Sequence, residues 1–201
     1  MVKINRDKIT RLRLAITGTP GVGKHTCAKI LCKKLDLELI DINKTIIENN
    51  CVAKIDKTNG NEINQKKAKK VLKKVMDFEK RFVVVGHLAP YVMESTDVDL
   101  IIVLRRNPYQ LRKIYKKRRY SASKIKENVS SEILGITSYD VLKVFGKRKV
   151  AEIDITNDNI EKNVEKIEKI VNKQSIKEFG KIDWLSLIYE NKDVDILLNK
   201  L

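Results

Sequence analysis

Cysteine is scarce in this chain: three residues, Cys27, Cys32 and Cys51, an odd number with no paired metal-ligand spacing. That count excludes a disulfide framework and points to reduced, structural thiols in a cytoplasmic protein. No apolar run approaches the roughly 18–20 residues a membrane span needs, so no transmembrane helix is expected. The opening stretch MVKINRDKITRLRLAIT holds no apolar segment followed by a small-residue cleavage site, so no signal peptide is expected either. Repeats and low-complexity linkers are also missing. The 201 residues are therefore expected to form one domain, spanning 1–201, with a core of ordinary size.

Negative charge is in short supply as well. Lys and Arg number 42 against 26 Asp and Glu, a formal net charge of +16. An excess of that size favours polyanionic partners: nucleotides, RNA or an acidic protein surface. Arginine is sparse in turn, with ten residues of the 42, which leaves 32 lysines. A lysine-rich profile also arises from compositional bias, with lysines filling solvated helix faces. Charge alone leaves both readings open.

What is present is alternation of strand and helix. RLRLAIT (11–17), LELID (37–41), FVVVG (82–86), VDLIIVL (98–104) and KVAEIDIT (149–156) read as strands. Helical periodicity runs through GKHTCAKILCKKL, through KTIIEN with Asn43 as its cap, through QKKAKKVLKKVMDFEK and through PYQLRKIYKK after Asn107-Pro108. It resumes in SKIKENVSSEILGITSYDVLKVF and in NIEKNVEKIEKIVNK, capped by Asn157 or Asp158. CVAKIDKTNGNEIN (51–64) reads as a loop with a turn at Asn59-Gly60. The order predicts an α/β fold, an open parallel five-stranded sheet between two helical layers. Ligands in such folds bind beyond the carboxyl ends of the strands. Gly18, Asp41, Gly86 and Arg105 each follow a strand closely, so they are expected to converge there.

The stretch GTPGVGKHT, Gly18 to Thr26, stands between the first strand and the first helix. Gly18, Gly21 and Gly23 allow the backbone to curl so that amides, Val22's among them, point at phosphate oxygens, and the helix N-terminus adds partial positive charge. Lys24 can reach between the β- and γ-phosphates of a nucleotide. A chance glycine turn is the plainer alternative, and strand, spacing and lysine together argue against it. His25 stands where most such loops carry the Ser or Thr that binds Mg²⁺. A neutral imidazole suits that hard ion poorly, so His25 is expected to be a solvent-facing first-turn residue and not a ligand.

GTPGVGKHT followed by VVVGHLAP, RRYSASKIKENVSSEIL, EIDIT and GKIDWL resembles the archaeal and nuclear branch of the adenylate kinases, the adenylate kinase isoenzyme 6 family. The resemblance spans nearly the whole chain, and the run within Arg118–Ile133 is its most distinctive part. It implies a nucleoside-monophosphate-kinase-like fold, ATP and Mg²⁺ as cofactors, AMP as phosphoryl acceptor, and ATPase action in small-ribosomal-subunit maturation. It implies a short lid at about 117–127 and a monophosphate-binding insert at about 41–64. Arg118 matches the lid arginine that contacts ATP phosphates; the plainer alternative is a helix-end arginine serving carbonyl groups. His87 matches a histidine that orients the attacking water or stabilises phosphate, with a hydrogen-bonded loop histidine as the alternative. Thr156 falls near the adenine, and Arg105 is a further phosphate-clamp candidate. Adenylate kinases typically read Gly-Lys-Gly-Thr, which makes Thr26 the retained threonine. The chain departs from the pattern at Val85, where an Asp is common, at Arg119, often Gly, and at Ile114, often Arg. Asp41 is expected to supply the missing carboxylate near Mg²⁺. A ribosomal protein or rRNA of the small subunit is the implied partner, and a kinase for another small acceptor is the competing enzyme class.

Overall fold

The computed structural model describes residues 12–54, 62–78, 80–194 and 197. Its strands in chain order are β1 (Arg13–Thr17), β2 (Glu38–Asp41), β3 (Val52–Lys54), β4 (Glu62–Ile63), β5 (Phe82–Val85), β6 (Leu100–Arg105) and β7 (Val150–Asp154). The helices begin with α1 (Lys24–Leu35), α2 (Ile42–Glu48), α3 (Gln65–Val75), α4 (Ala89–Val92) and α5 (Pro108–Lys117). They continue with α6 (Ala122–Ile133), α7 (Ile136–Phe145), α8 (Ile160–Val171) and α9 (Trp184–Glu190). Among the described residues no helix is long and apolar enough to cross a membrane.

Five strands form one sheet in the order β2-β5-β1-β6-β7, every neighbouring pair parallel. FVVV and LIIVLR are continuous buried runs because helices cover both faces of the strands they form. Alternate residues feed two cores. Leu14, Ile16, Val83 and Ile102 pack with Ala28 and Leu31 of α1 and Ile167 of α8. Ala15, Val84, Ile101 and Val103 pack with Leu72 of α3, Ala89 of α4 and Val141 of α7. The result is the expected α/β/α sandwich, with β1 central and the carboxyl ends of its neighbours on one rim.

The expected strands and most helices are in place, and several details differ. Asp41, not Asn43, caps α2: its extended backbone lets the carboxylate accept from Lys44 N at 3.1 Å, whereas Asn43 already lies inside the helix. Asn159, not Asn157 or Asp158, caps α8 through Lys162 N at 2.9 Å. The segment 51–64 is not all loop, because β3 and β4 pair antiparallel; the Asn59-Gly60 turn lies outside the described residues. The long periodic run 123–145 is two helices, broken at Leu134-Gly135 where Gly135 turns left-handed at φ 65°. Asn107 caps α5 as expected, accepting from Tyr109 N at 2.9 Å.

Candidate functional site

The glycine-rich loop leaves β1 and enters α1 on the carboxyl-end rim of the sheet. Gly18 has φ 141° and a β-carbon there would stand 2.3 Å from the Leu104 carbonyl, so only glycine lets the loop pass against β6. Gly21 at φ 87° lies over the Tyr115 ring, which an added β-carbon would meet at 2.9 Å. Gly23, with φ 111°, is the N-cap of α1 and offers no side chain to its amides. Val22 stands in the loop between Gly21 and Gly23. Its side chain is buried in the core and its amide donates to Thr19 O at 3.3 Å, closing the turn.

Around this loop the structure gathers cations. Lys24 is 4 % exposed and its Nζ donates to the Thr19 carbonyl at 3.4 Å. Burial, and next the charge of Arg118, lower its pKa to about 8. The Arg118 backbone closes the end of α5 by donating to Ile114 O at 3.0 Å, and its side chain is exposed, with its charge acting on Lys24. Arg119, where the resembling family often has glycine, takes φ 57°, the left-handed conformation that glycine adopts most readily. His87 follows β5, and burial, then Lys24, Lys124 and His25, push its pKa down to about 4. It is a neutral imidazole at neutral pH.

His25 is half-exposed and not wholly solvent-facing, since its Nε2 lies 3.1 Å from Asp41 Oδ2. Burial lowers its pKa against the opposing pull of Asp41. Asp41 thus spans the first turn of α1 and the cap of α2. Thr26 is exposed on that same first turn, and Val85 is fully buried. Among the described residues no cluster of three or more His, Cys, Asp or Glu forms a metal cage. A carboxylate and a hydroxyl remain, hard oxygens that fit Mg²⁺ held mainly by water and phosphate oxygens.

One expected role changes. Arg105 is not free to clamp phosphate. It is 3 % exposed, and its Nε donates to Glu132 Oε1 at 2.7 Å while Nη1 donates to Glu152 Oε1 at 3.0 Å. Its remaining nitrogen donates to the Glu132 carbonyl at 2.7 Å. Thr156 is engaged locally: Oγ1 donates to Asp154 Oδ1 at 2.5 Å and accepts from Asn107 N at 2.9 Å, joining the loops after β7 and β6.

Glu132, Thr19, Tyr115 and Trp184 escaped the sequence reading. Glu132 is 1 % exposed and accepts from Thr19 Oγ1 at 2.5 Å, Arg105, Arg106 N at 3.1 Å and Trp184 Nε1 at 3.1 Å. Tyr115 donates to Pro20 O and stacks on Tyr120. The signal for Glu132 was its place on the apolar side of an otherwise amphipathic helix, where a carboxylate demands partners. Nothing local marked Tyr115, which reads as an ordinary core aromatic.

A family described as "AAA domain" matches residues 14–135. A Methanocaldococcus jannaschii protein named "Putative adenylate kinase" is 35% identical over 187 residues, covering 92% of this chain and 99% of that one. One of the same name from Saccharolobus solfataricus is 34% identical over 173 residues, 86% of this chain and 87% of its own. Among solved structures, shikimate kinase from Acinetobacter baumannii in complex with shikimate superposes with a TM-score of 0.54 at 15% identity. It covers 84% of this chain and 97% of its own length. That likeness speaks to the fold alone.

Proposed function

Since the chain belongs to the P-loop nucleoside monophosphate kinase superfamily, alongside its adenylate-kinase-named relatives, we propose that it transfers the terminal phosphoryl group of ATP reversibly to AMP, giving two ADP. ATP hydrolysis follows more slowly when water takes the place of AMP. The observation that carries the reading is the glycine-rich loop with buried Lys24 at its helix end, held on the loop by the Thr19 carbonyl, and the Arg118 charge acting on it. Burial first, and then the charge of Arg118, disfavour the Lys24 ammonium, and a polyphosphate that neutralises both cations relieves that cost.

In this reading Gly18, Gly21, Val22, Gly23, Lys24, His25 and Thr26 make the ATP cradle, with Thr156 near the base. Residues 117–127 act as a lid that carries Arg118, and 41–64 as the insert that receives AMP. Catalysis is positioning and charge neutralisation, with no protein nucleophile. Lys24 and Arg118 bear the developing charge, while closure over 117–127 excludes water and sets the ratio of transfer to hydrolysis. Neutral His87 has a free-base nitrogen suited to orienting an attacking water or hydroxyl. Thr26 and Asp41 would hold Mg²⁺ with ATP, the ion neutralising the β- and γ-phosphates.

An ADP-formation assay with ATP and a panel of monophosphates, set beside ATP alone, tests the reading. Strong stimulation by AMP is expected, and Lys24→Ala is expected to abolish transfer and hydrolysis together. Unchanged rates in that variant would overturn the site.

The α3 surface favours a second role for the nucleotide cycle. Six lysines, Lys66, Lys67, Lys69, Lys70, Lys73 and Lys74, stand on that helix without one acidic residue. They suit the small-ribosomal-subunit protein or rRNA partner that the isoenzyme 6 resemblance implies, with an assembly ATPase of little kinase activity as the alternative. ATP turnover independent of AMP, with ATP-dependent retention of small-subunit components, would favour the assembly role.

A further inference from the structure

The helices on either side of the 118–121 link each grip the glycine-rich loop at consecutive residues. From α6, buried Glu132 accepts the Thr19 hydroxyl at 2.5 Å. From α5, the Tyr115 hydroxyl donates to the carbonyl of Pro20, the next residue along, and its ring supports Gly21 from below. The link then folds back on the same tyrosine. Tyr120 N donates to Tyr115 O at 3.1 Å, and the two rings stack at 5.4 Å with 11° between their planes. Arg118 lies inside this folded link, and Tyr115 is fully buried.

We propose that Thr19, Tyr115 and Glu132 are positioning residues that bind the glycine-rich loop and the Arg118 segment into one mechanical unit, so that seating a nucleotide polyphosphate in the loop fixes the reach of Arg118. The inference rests on the reading that the loop holds ATP. A hinge that moved Arg118 independently would have to break the Tyr115 bond to Pro20 or unstack Tyr120. Tyr115 is fully buried, and the loop amides that face phosphate follow directly after its anchor at Pro20. Trp184 donates to the same Glu132 carboxylate as Thr19, so the chain's one tryptophan sits a single residue from the loop and reports on it.

The test is a double-mutant cycle on the full chain, with ATP affinity read by calorimetry and by Trp184 emission. Tyr115→Phe keeps the ring and removes only the hydroxyl; Thr19→Val removes the other grip, and Thr19→Ser restores it. Tyr115→Phe and Thr19→Val are each expected to weaken ATP binding about threefold to tenfold, the size of one hydrogen bond, while Thr19→Ser stays within about twofold. In an Arg118→Ala background the Tyr115→Phe loss is expected to shrink below about twofold, because the guanidinium it positioned is gone. A merely structural role predicts additive losses in that cycle or a lowered Tm with unchanged affinity, and either result overturns the proposal. Should Thr19→Val fail to fold, the Tyr115→Phe cycle decides alone. A wild-type chain without ATP affinity overturns this inference and the kinase reading together. ATP binding without AMP phosphorylation overturns the acceptor assignment only.

Discussion

His87 sits where burial, two lysines and His25 all oppose its protonation, and its pKa falls from the ordinary 6.5 to about 4. Between those values the unfolded chain takes up a proton that the folded chain refuses. The contribution to stability is therefore complete above pH 6.5 and declines as pH falls toward 4, by up to roughly 3 kcal/mol. Denaturant unfolding at pH 7 and pH 4.5 should show that loss, and His87→Asn should lose less stability over the same interval. A histidine after a buried strand was legible in the sequence. Its neutral state was not, since that depends first on burial and then on Lys24 and Lys124, which lie far away in sequence on α1 and α6.

Among the elements, Asp41 at the end of β2 links the start of α2 to the first turn of α1. Asp41 caps α2 through one carboxylate oxygen and meets His25 of α1 through the other. Asp41→Ala should cost about 1 kcal/mol for the lost cap, whereas Asp41→Asn, which caps as well, should keep most of that stability. Thermal unfolding of the pair separates the cap from the charge. If Asp41 also serves Mg²⁺, Asp41→Asn should raise the Mg²⁺ concentration needed for half-maximal ADP formation while leaving Tm near wild type. Both Asn43 and Asp41 carry cap chemistry, and local sequence did not choose between them; the place where β2 leaves the sheet did. One apolar period runs through 123–145, and Gly135 divides it by turning left-handed at φ 65°, a conformation glycine adopts without steric cost.

At the scale of the whole molecule, a buried ionic cluster joins the loop to the C-terminal segment. Arg105 lies between Glu132 and Glu152; Gly180 N donates to Glu152 at 2.7 Å and Trp184 to Glu132 at 3.1 Å. Arg105→Met leaves two buried carboxylates without their cation and should destabilise the fold by about 3–5 kcal/mol. Equilibrium unfolding measures that cost, and a red-shifted Trp184 emission would show that the C-terminal contact has loosened. By itself the sequence determined the order of the five sheet strands and of most helices, the parallel sheet and the glycine-rich loop, because these follow from periodicity and from spacing within a few residues. The tertiary structure alone decided that Arg105 is structural, that His25 faces Asp41 and that Glu132 holds Thr19. Each of those outcomes turns on which side chains reach one another across 16 to 113 positions of chain, and there partner geometry, not residue type, determines the role.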